Sequence, residues 1–151
     1  MKIAIASDHA GFQLKQILAE YIRSLGYQLL DLGTKSTQPV DYPDFAEKLG
    51  LAIQGGKVER GILLCGSGVG ACIAANKLKG VYASVCHDTF AAHQGVEHDN
   101  MNVLCLGANV IGPDLAKEVV AAFLAARYWG QDPGQERHAR RVEKIRKLED
   151  C

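Results

Sequence analysis

Gly61-Ile62-Leu63-Leu64-Cys65-Gly66-Ser67-Gly68-Val69-Gly70-Ala71 runs from an apolar strand, through a thiol, into a glycine loop that opens a helix. A strand–loop–helix unit of this kind is the repeating element of α/β folds built on a parallel sheet. Glycines let a backbone approach a ligand closely, and the first N–H groups of a helix attract anions. Cys65 stands near the positive end of the helix dipole, which favours thiolate over thiol. The segment therefore sets a potential base or nucleophile against a potential anion hole, as in an enzyme acting on a small anionic substrate. The loop is not a Walker A motif, since no Gly-Lys-Ser/Thr follows. Nor is it the dinucleotide fingerprint, because its third glycine comes one residue early. The plain alternative is a tight turn beside a small buried hydrophobe. The density of glycines favours the ligand.

Outward from this unit, apolar runs alternate with helical periodicity along the whole chain. Strands are expected at Lys2–Ala6, Gln28–Asp31, Gly61–Leu64, Tyr82–Val85 and Val103–Leu106. Helices are expected near Gly11–Ser24, Pro43–Gln54, Val69–Leu78, Thr89–Val96, Pro113–Arg127 and Gln135–Glu149. Gly26 and Gly80 suit left-handed caps closing the first and third helices, and Pro43 and Pro113 suit first turns. Gly130-Gln131-Asp132-Pro133-Gly134 reads as a linker, which frees the last helix to leave the core and pack on a partner subunit.

Composition narrows the class. A chain of 151 residues is read as one domain spanning 1–151, large enough for a substantial core. No apolar run approaches the roughly 18 residues of a membrane span, and the start lacks a leader pattern. Seventeen basic and seventeen acidic residues cancel, so no overall charge recruits nucleic acid or membrane. The five cysteines form no C-x-x-C pair and are odd in number, which argues against a zinc site and a disulfide framework. A reducing cytoplasm is the expected compartment.

Ligands of open α/β sheets sit beyond the carboxyl ends of the strands. Ser7-Asp8-His9-Ala10-Gly11, Cys65-Gly66-Ser67-Gly68 and Cys86-His87-Asp88 all fall there. Asp8 serves either as an N-cap or as a ligand, and His9 beside it suits an acid, a base or an anion ligand. His98-Asp99-Asn100 reads as a polar loop before the fifth strand, expected to face the same rim, with three hydrogen-bonding side chains that suit a sugar. His87 and His93 are six residues apart and fall on different faces. Cys72, Cys86 and Cys105 read as core, and Cys151 as a mobile terminal thiol. Arg137 and Arg141, flanked by His138 and Arg140, share one helix face; they form either a solvated surface or a phosphate fork. No His/Asp/Glu set has metal-ligand spacing, so a metal-free mechanism without cofactor is expected.

Together these blocks resemble the ribose-5-phosphate isomerase B family, which also contains galactose-6-phosphate isomerase subunits. The resemblance rests on Ser7–Gly11, Val40-Asp41-Tyr42-Pro43, Cys65–Gly70, Ile73-Ala74-Ala75-Asn76-Lys77, Asn102-Val103-Leu104 and Arg137-His138-Ala139-Arg140-Arg141-Val142. It implies an α/β/α sandwich with a Rossmann-like five-stranded parallel sheet, and a homodimer or tetramer whose sites draw on two subunits. It also implies a metal-free aldose–ketose isomerisation of a sugar phosphate through a cis-enediolate. Residue by residue, the resemblance makes Cys65 the base, His98 the group that opens the furanose ring, and Ser67 the relay between the two oxygens. Backbone N–H groups of Gly66, Gly68, Val69 and Gly70 would hold the enediolate. Asp8, Tyr42, Asp99 and Asn100 would hold the sugar, and His9, Arg137 and Arg141 the phosphate. Other family members place a carboxylate on the following helix, whose start here, Gly70-Ala71-Cys72, has no acid. Asp99 and Asn109 depart from the common pattern of an amide and an arginine, which bears on which sugar phosphate fits. Ribose 5-phosphate leads; a tetrose, galactose or allose phosphate, a cysteine-dependent hydrolase and a non-catalytic phosphosugar module are the alternatives.

Overall fold

The central strands carry apolar side chains on both faces, so they must be covered twice, and the chain meets that need by placing helices on either side of one sheet. The computed structural model describes residues 1–150. Within them, β1 (Lys2–Ser7), β2 (Gln28–Asp31), β3 (Arg60–Cys65), β4 (Ala83–Val85) and β5 (Val103–Gly107) pair in parallel in the order β2-β1-β3-β5-β4. The helices are α1 (Phe12–Ser24), α2 (Tyr42–Gln54), α3 (Val69–Ala75), α4 (Thr89–Asp99), α5 (Pro113–Ala125) and α6 (Glu136–Leu148).

Strand alternation sorts the core into two layers. Ile3, Ile5, Ile62, Leu64, Leu104 and Leu106 pack toward α1, α4 and α5. Ala4, Ala6, Leu63, Cys65, Val103 and Cys105 pack toward α2 and α3. The expected three-layer α/β/α architecture with a Rossmann-like sheet is therefore the fold. At its β2 edge Lys15 is only 1% exposed and holds Asp31 at 2.7 Å, while Asp31 also accepts the Gly33 N–H. Lys15→Ala should cost about 2–4 kcal/mol in a denaturation curve, because it strands a carboxylate against a buried void.

Four expectations change in detail. Helix α3 stops at Ala75 rather than Leu78, because the Asn76 side chain turns to the Ala83 backbone, donating at 2.9 Å and accepting at 2.8 Å. Gly80 does have positive φ, but it lies beyond that helix and donates to Glu149 instead of capping it. Tyr82 stays outside β4, since its N–H is taken by the Asn102 side chain. The segment before α6 is tied down rather than free. Arg127 grips Asp132 through two hydrogen bonds, and the Trp129 N–H donates to Glu97 O at 2.9 Å. Helix α6 thus returns to its own chain beside α4. Cys151 lies outside the described residues.

Candidate active site

Cys65 ends β3, the central strand, with its side chain on the α2/α3 face and 4% exposed. The next three residues turn so sharply that Gly68 sits at φ +82°, and a Cβ there would meet the Leu106 and Gly107 backbone at 3.0–3.1 Å. This turn aims the Gly68 N–H at Cys65 Sγ, 3.2 Å away. A hydrogen bond of that kind stabilises negative charge on sulfur. Gly68→Ala should cost at least about 1–2 kcal/mol from backbone strain alone. Because the turn also sets the Gly68–Cys65 contact, activity should fall further than the denaturation midpoint suggests; parallel melts and assays would show it.

Ser67 is exposed, and its Oγ accepts the Val69 N–H at 3.2 Å. Two of the N–H groups expected to face a ligand, those of Gly68 and Val69, are therefore engaged inside the loop. The N–H of Gly70, in the first turn of α3, has no acceptor within the helix. Tyr42 opens α2 and lies against the loop; a Cβ on Gly70 would fall 2.5 Å from its ring. Only glycine at position 70 lets the phenol cover the thiol loop.

The neighbouring loops converge on the same rim. Asp8 is 6% exposed and accepts the Gly11 N–H at 3.1 Å, so the capping and ligand readings meet in one carboxylate. His9 Nδ1 accepts the Val40 N–H at 3.1 Å, which puts the ring proton on Nε2. The loop after β5 is laced to this one: Ala108 N–H donates to Cys65 O and Asn109 N–H to Gly66 O, each at 2.9 Å. His87, given no role from sequence, belongs to this rim as well, its Nε2 accepting the Gly107 N–H at 2.9 Å.

Cys86 and Cys105 are core residues as expected, but Cys72 is half-buried. A hydrogen bond from Cys105 and one from the Val85 backbone, working against burial, bring Cys72 down to about 7. Asn76 also approaches its sulfur at 3.6 Å. All four described cysteines are free. Among the described residues no group of three His, Cys, Asp or Glu side chains can hold a metal ion, and no helix is long and apolar enough to cross a membrane.

The His98-Asp99-Asn100 block does not join them. His98 and Asp99 belong to the last turn of α4, and Asn100 is its left-handed C-cap at φ 54°. Asn100 suits that conformation because its short amide tolerates it. Sheet register pairs Gly61 with Val103 and Cys65 with Gly107. The block precedes Val103, so it lies at least about 13 Å below the thiol, counting four strand steps of about 3.3 Å. It also hangs from α4, on the opposite face of the sheet from Cys65.

A second polar cluster forms there. His138 of α6 is 3% exposed and stacks on His98 at 4.1 Å, and Trp129 closes the group at 5.1 Å from His98. Arg137 donates to Gly134 O, and Arg137 and Arg141 are exposed beside His138. Sequence reasoning missed Trp129, whose linker position carries no periodic signal.

The parallel α/β sheet thus carries a thiol and a glycine loop at one rim and an imidazole–arginine cluster at the other, groups whose chemistry suits small anions. The model of the ribose/galactose isomerase family matches residues 3–145. The chain is 43% identical over 148 residues to ribose-5-phosphate isomerase B of Escherichia coli, covering 98% of this chain and 96% of that one. It is 44% identical over 147 residues to the D-erythrulose-4-phosphate isomerase of Pectobacterium atrosepticum, covering 96% and 93%. The structure of ribose-5-phosphate isomerase B from Clostridium thermocellum superposes with a TM-score of 0.94 at 43% identity, covering 99% and 98%. The chain belongs to the ribose/galactose isomerase family, a family of aldose–ketose isomerases.

Proposed function

We propose that this protein interconverts an aldose phosphate and its ketose phosphate, ribose 5-phosphate and ribulose 5-phosphate first among them, without metal or cofactor. The observation that carries the reading is the Cys65 sulfur accepting the Gly68 N–H, in a glycine loop whose Gly70 lies against Tyr42, in a chain of this family. The thiolate takes the proton from C2, leaving a cis-enediolate, and returns it to C1. Ser67 shuttles the hydroxyl proton between O1 and O2. The Gly66–Gly70 loop donates to the enediolate, Gly70 directly and Gly68 and Val69 by exchanging their internal partners. Donors of this sort are worth about 3 kcal/mol each in other enzymes. Asp8 and Tyr42 hold the sugar at this rim, and His9 offers its Nε2–H to the phosphate.

His98 protonates the ring oxygen, Asp99 and Asn100 hold sugar hydroxyls, and Arg137 and Arg141 bind the phosphate. These five stand at the far end of the sheet, so each site is completed by a second copy of the chain. Supporting this are the exposed apolar residues Val69 and Ile73, which share one face of α3 beside the thiol loop. A cytoplasmic homodimer with two shared sites is the working assembly.

The substrate's length is the finer question. Asn109 rests against Gly66, where many relatives carry arginine, and the equally similar tetrose-phosphate isomerase favours a second reading in which a four-carbon substrate is used. Incubation in deuterated water with ribose 5-phosphate, erythrose 4-phosphate and galactose 6-phosphate decides. Deuterium at C1 of the ketose and C2 of the recovered aldose supports isomerisation of that sugar. No exchange with any of them sinks the reading.

A further inference from the structure

His98 and His138 lie ring on ring, 4.1 Å apart and 23° from parallel. Trp129 forms the third wall, tilted against His98 at 5.1 Å and edge-on to His138 at 6.4 Å. The His138 ring is buried, and its Nε2 has no hydrogen-bond partner among the described residues. Burying an unpartnered polar atom is costly, and burying an unpartnered charged N–H far more so. Such an atom needs a reason to persist.

Two imidazolium rings at this distance would repel, so the stack carries one positive charge at most. The surroundings of His138 disfavour that charge on its own ring. His138 faces Arg137 and Arg141 from its own helix, and His98 and Asp99 from α4. Burial first, then the His98 and arginine charges, hold His138 below the usual imidazole range, against the pull of Asp99. His98 is the more open ring, only partly covered and in the last turn of α4.

We propose that His138 is a positioning residue: a buried ring, packed face to face on His98, that braces the plane in which His98 acts. This deepens the function proposed above and rests on His98 as the group that opens the sugar ring. His138 touches no reacting atom in this scheme. It fixes the plane of His98 by offering a flat surface against one face of that ring.

The consequence is specific to cyclic substrates. An aldopentose 5-phosphate closes into a furanose through its C4 hydroxyl, whereas an aldotetrose 4-phosphate has that oxygen esterified and cannot. Rates with ribose 5-phosphate and erythrose 4-phosphate therefore separate ring opening from proton transfer. In the full-length protein His138→Ala should lower kcat on ribose 5-phosphate between about tenfold and a hundredfold, the cost of a misplaced catalytic group. Its rate on erythrose 4-phosphate should stay within about twofold of wild type if only the step before proton transfer is touched. His138→Phe, which keeps a flat ring and no nitrogen, should restore most of the pentose rate.

Equal losses on both sugars, or no loss on either, would overturn the positioning role while leaving the isomerase reading intact. A selective pentose defect in His138→Phe would overturn it too, by assigning the nitrogens a direct part. Should the alanine variant fail to fold, the phenylalanine variant decides alone, since the proposal requires it to keep its pentose rate. Wild-type inactivity on both sugars overturns the proposal with its premise, a pattern distinct from every variant-only defect.

Discussion

Replacing Cys65 by alanine should lower kcat on the aldose phosphate by about a thousandfold or more, within the range expected when a general base is removed. KM should move little, because the Gly66–Gly70 backbone, Tyr42 and Asp8 remain. Deuterium uptake at C2 of the recovered aldose should vanish with activity, since both depend on the same proton abstraction. The informative control is Cys72→Ser. Cys72 is held near 7 by Cys105 and the Val85 backbone, which makes it the competing candidate for the base. Its placement argues otherwise: it looks toward Val85, Asn76 and Cys105, away from the loop, whereas Cys65 receives the Gly68 N–H. Cys72→Ser should therefore retain most of its activity. Exchange that survives Cys65→Ala and disappears in Cys72→Ser would move the base to the helix.

The second large effect is a recovery. Cys65→Ala and His98→Asn should each be nearly inactive as pure proteins. Unfolded together in equal amounts and refolded, half of the dimers are mixed, and each mixed dimer carries one site with both residues intact. About a quarter of the wild-type rate should return, as follows from random pairing in a two-fold dimer. A site completed within one chain predicts no recovery, because every chain in the mixture lacks one of the two residues. The distance of at least about 13 Å between the two clusters, set by strand rise, makes the recovery the expected result. Absence of recovery, with refolding of each parent verified, would leave the His98 cluster without a catalytic part.

Much of the molecule was legible without coordinates. Strand β2 falls on its expected residues, and α1, α2 and α5 within one or two of theirs, because hydrophobic period and terminal glycines or prolines are local signals. The rim holding Asp8, His9 and Cys65 was also legible, since ligand residues follow the carboxyl ends of parallel strands. Local signals misled where a side chain chose a distant partner. Asn76 ends α3 early by reaching Ala83, and Trp129 and Arg127 tie down a segment whose composition reads as a loose linker.

His98 is the instructive case. Adjacent in sequence to a strand, it was expected on the catalytic rim. Yet a residue before a parallel strand stands at the opposite end from one after it, and α4 extends far enough to absorb it. By itself, the sequence determined the α/β fold, the thiol at the end of β3 and the glycine turn behind it, because each follows from neighbours in the chain. Only the tertiary structure decided that the polar residues form two clusters, and that His138 is a buried ring rather than a surface one. Those facts depend on strand register and on where α6 returns, and both are set by packing between segments far apart in sequence.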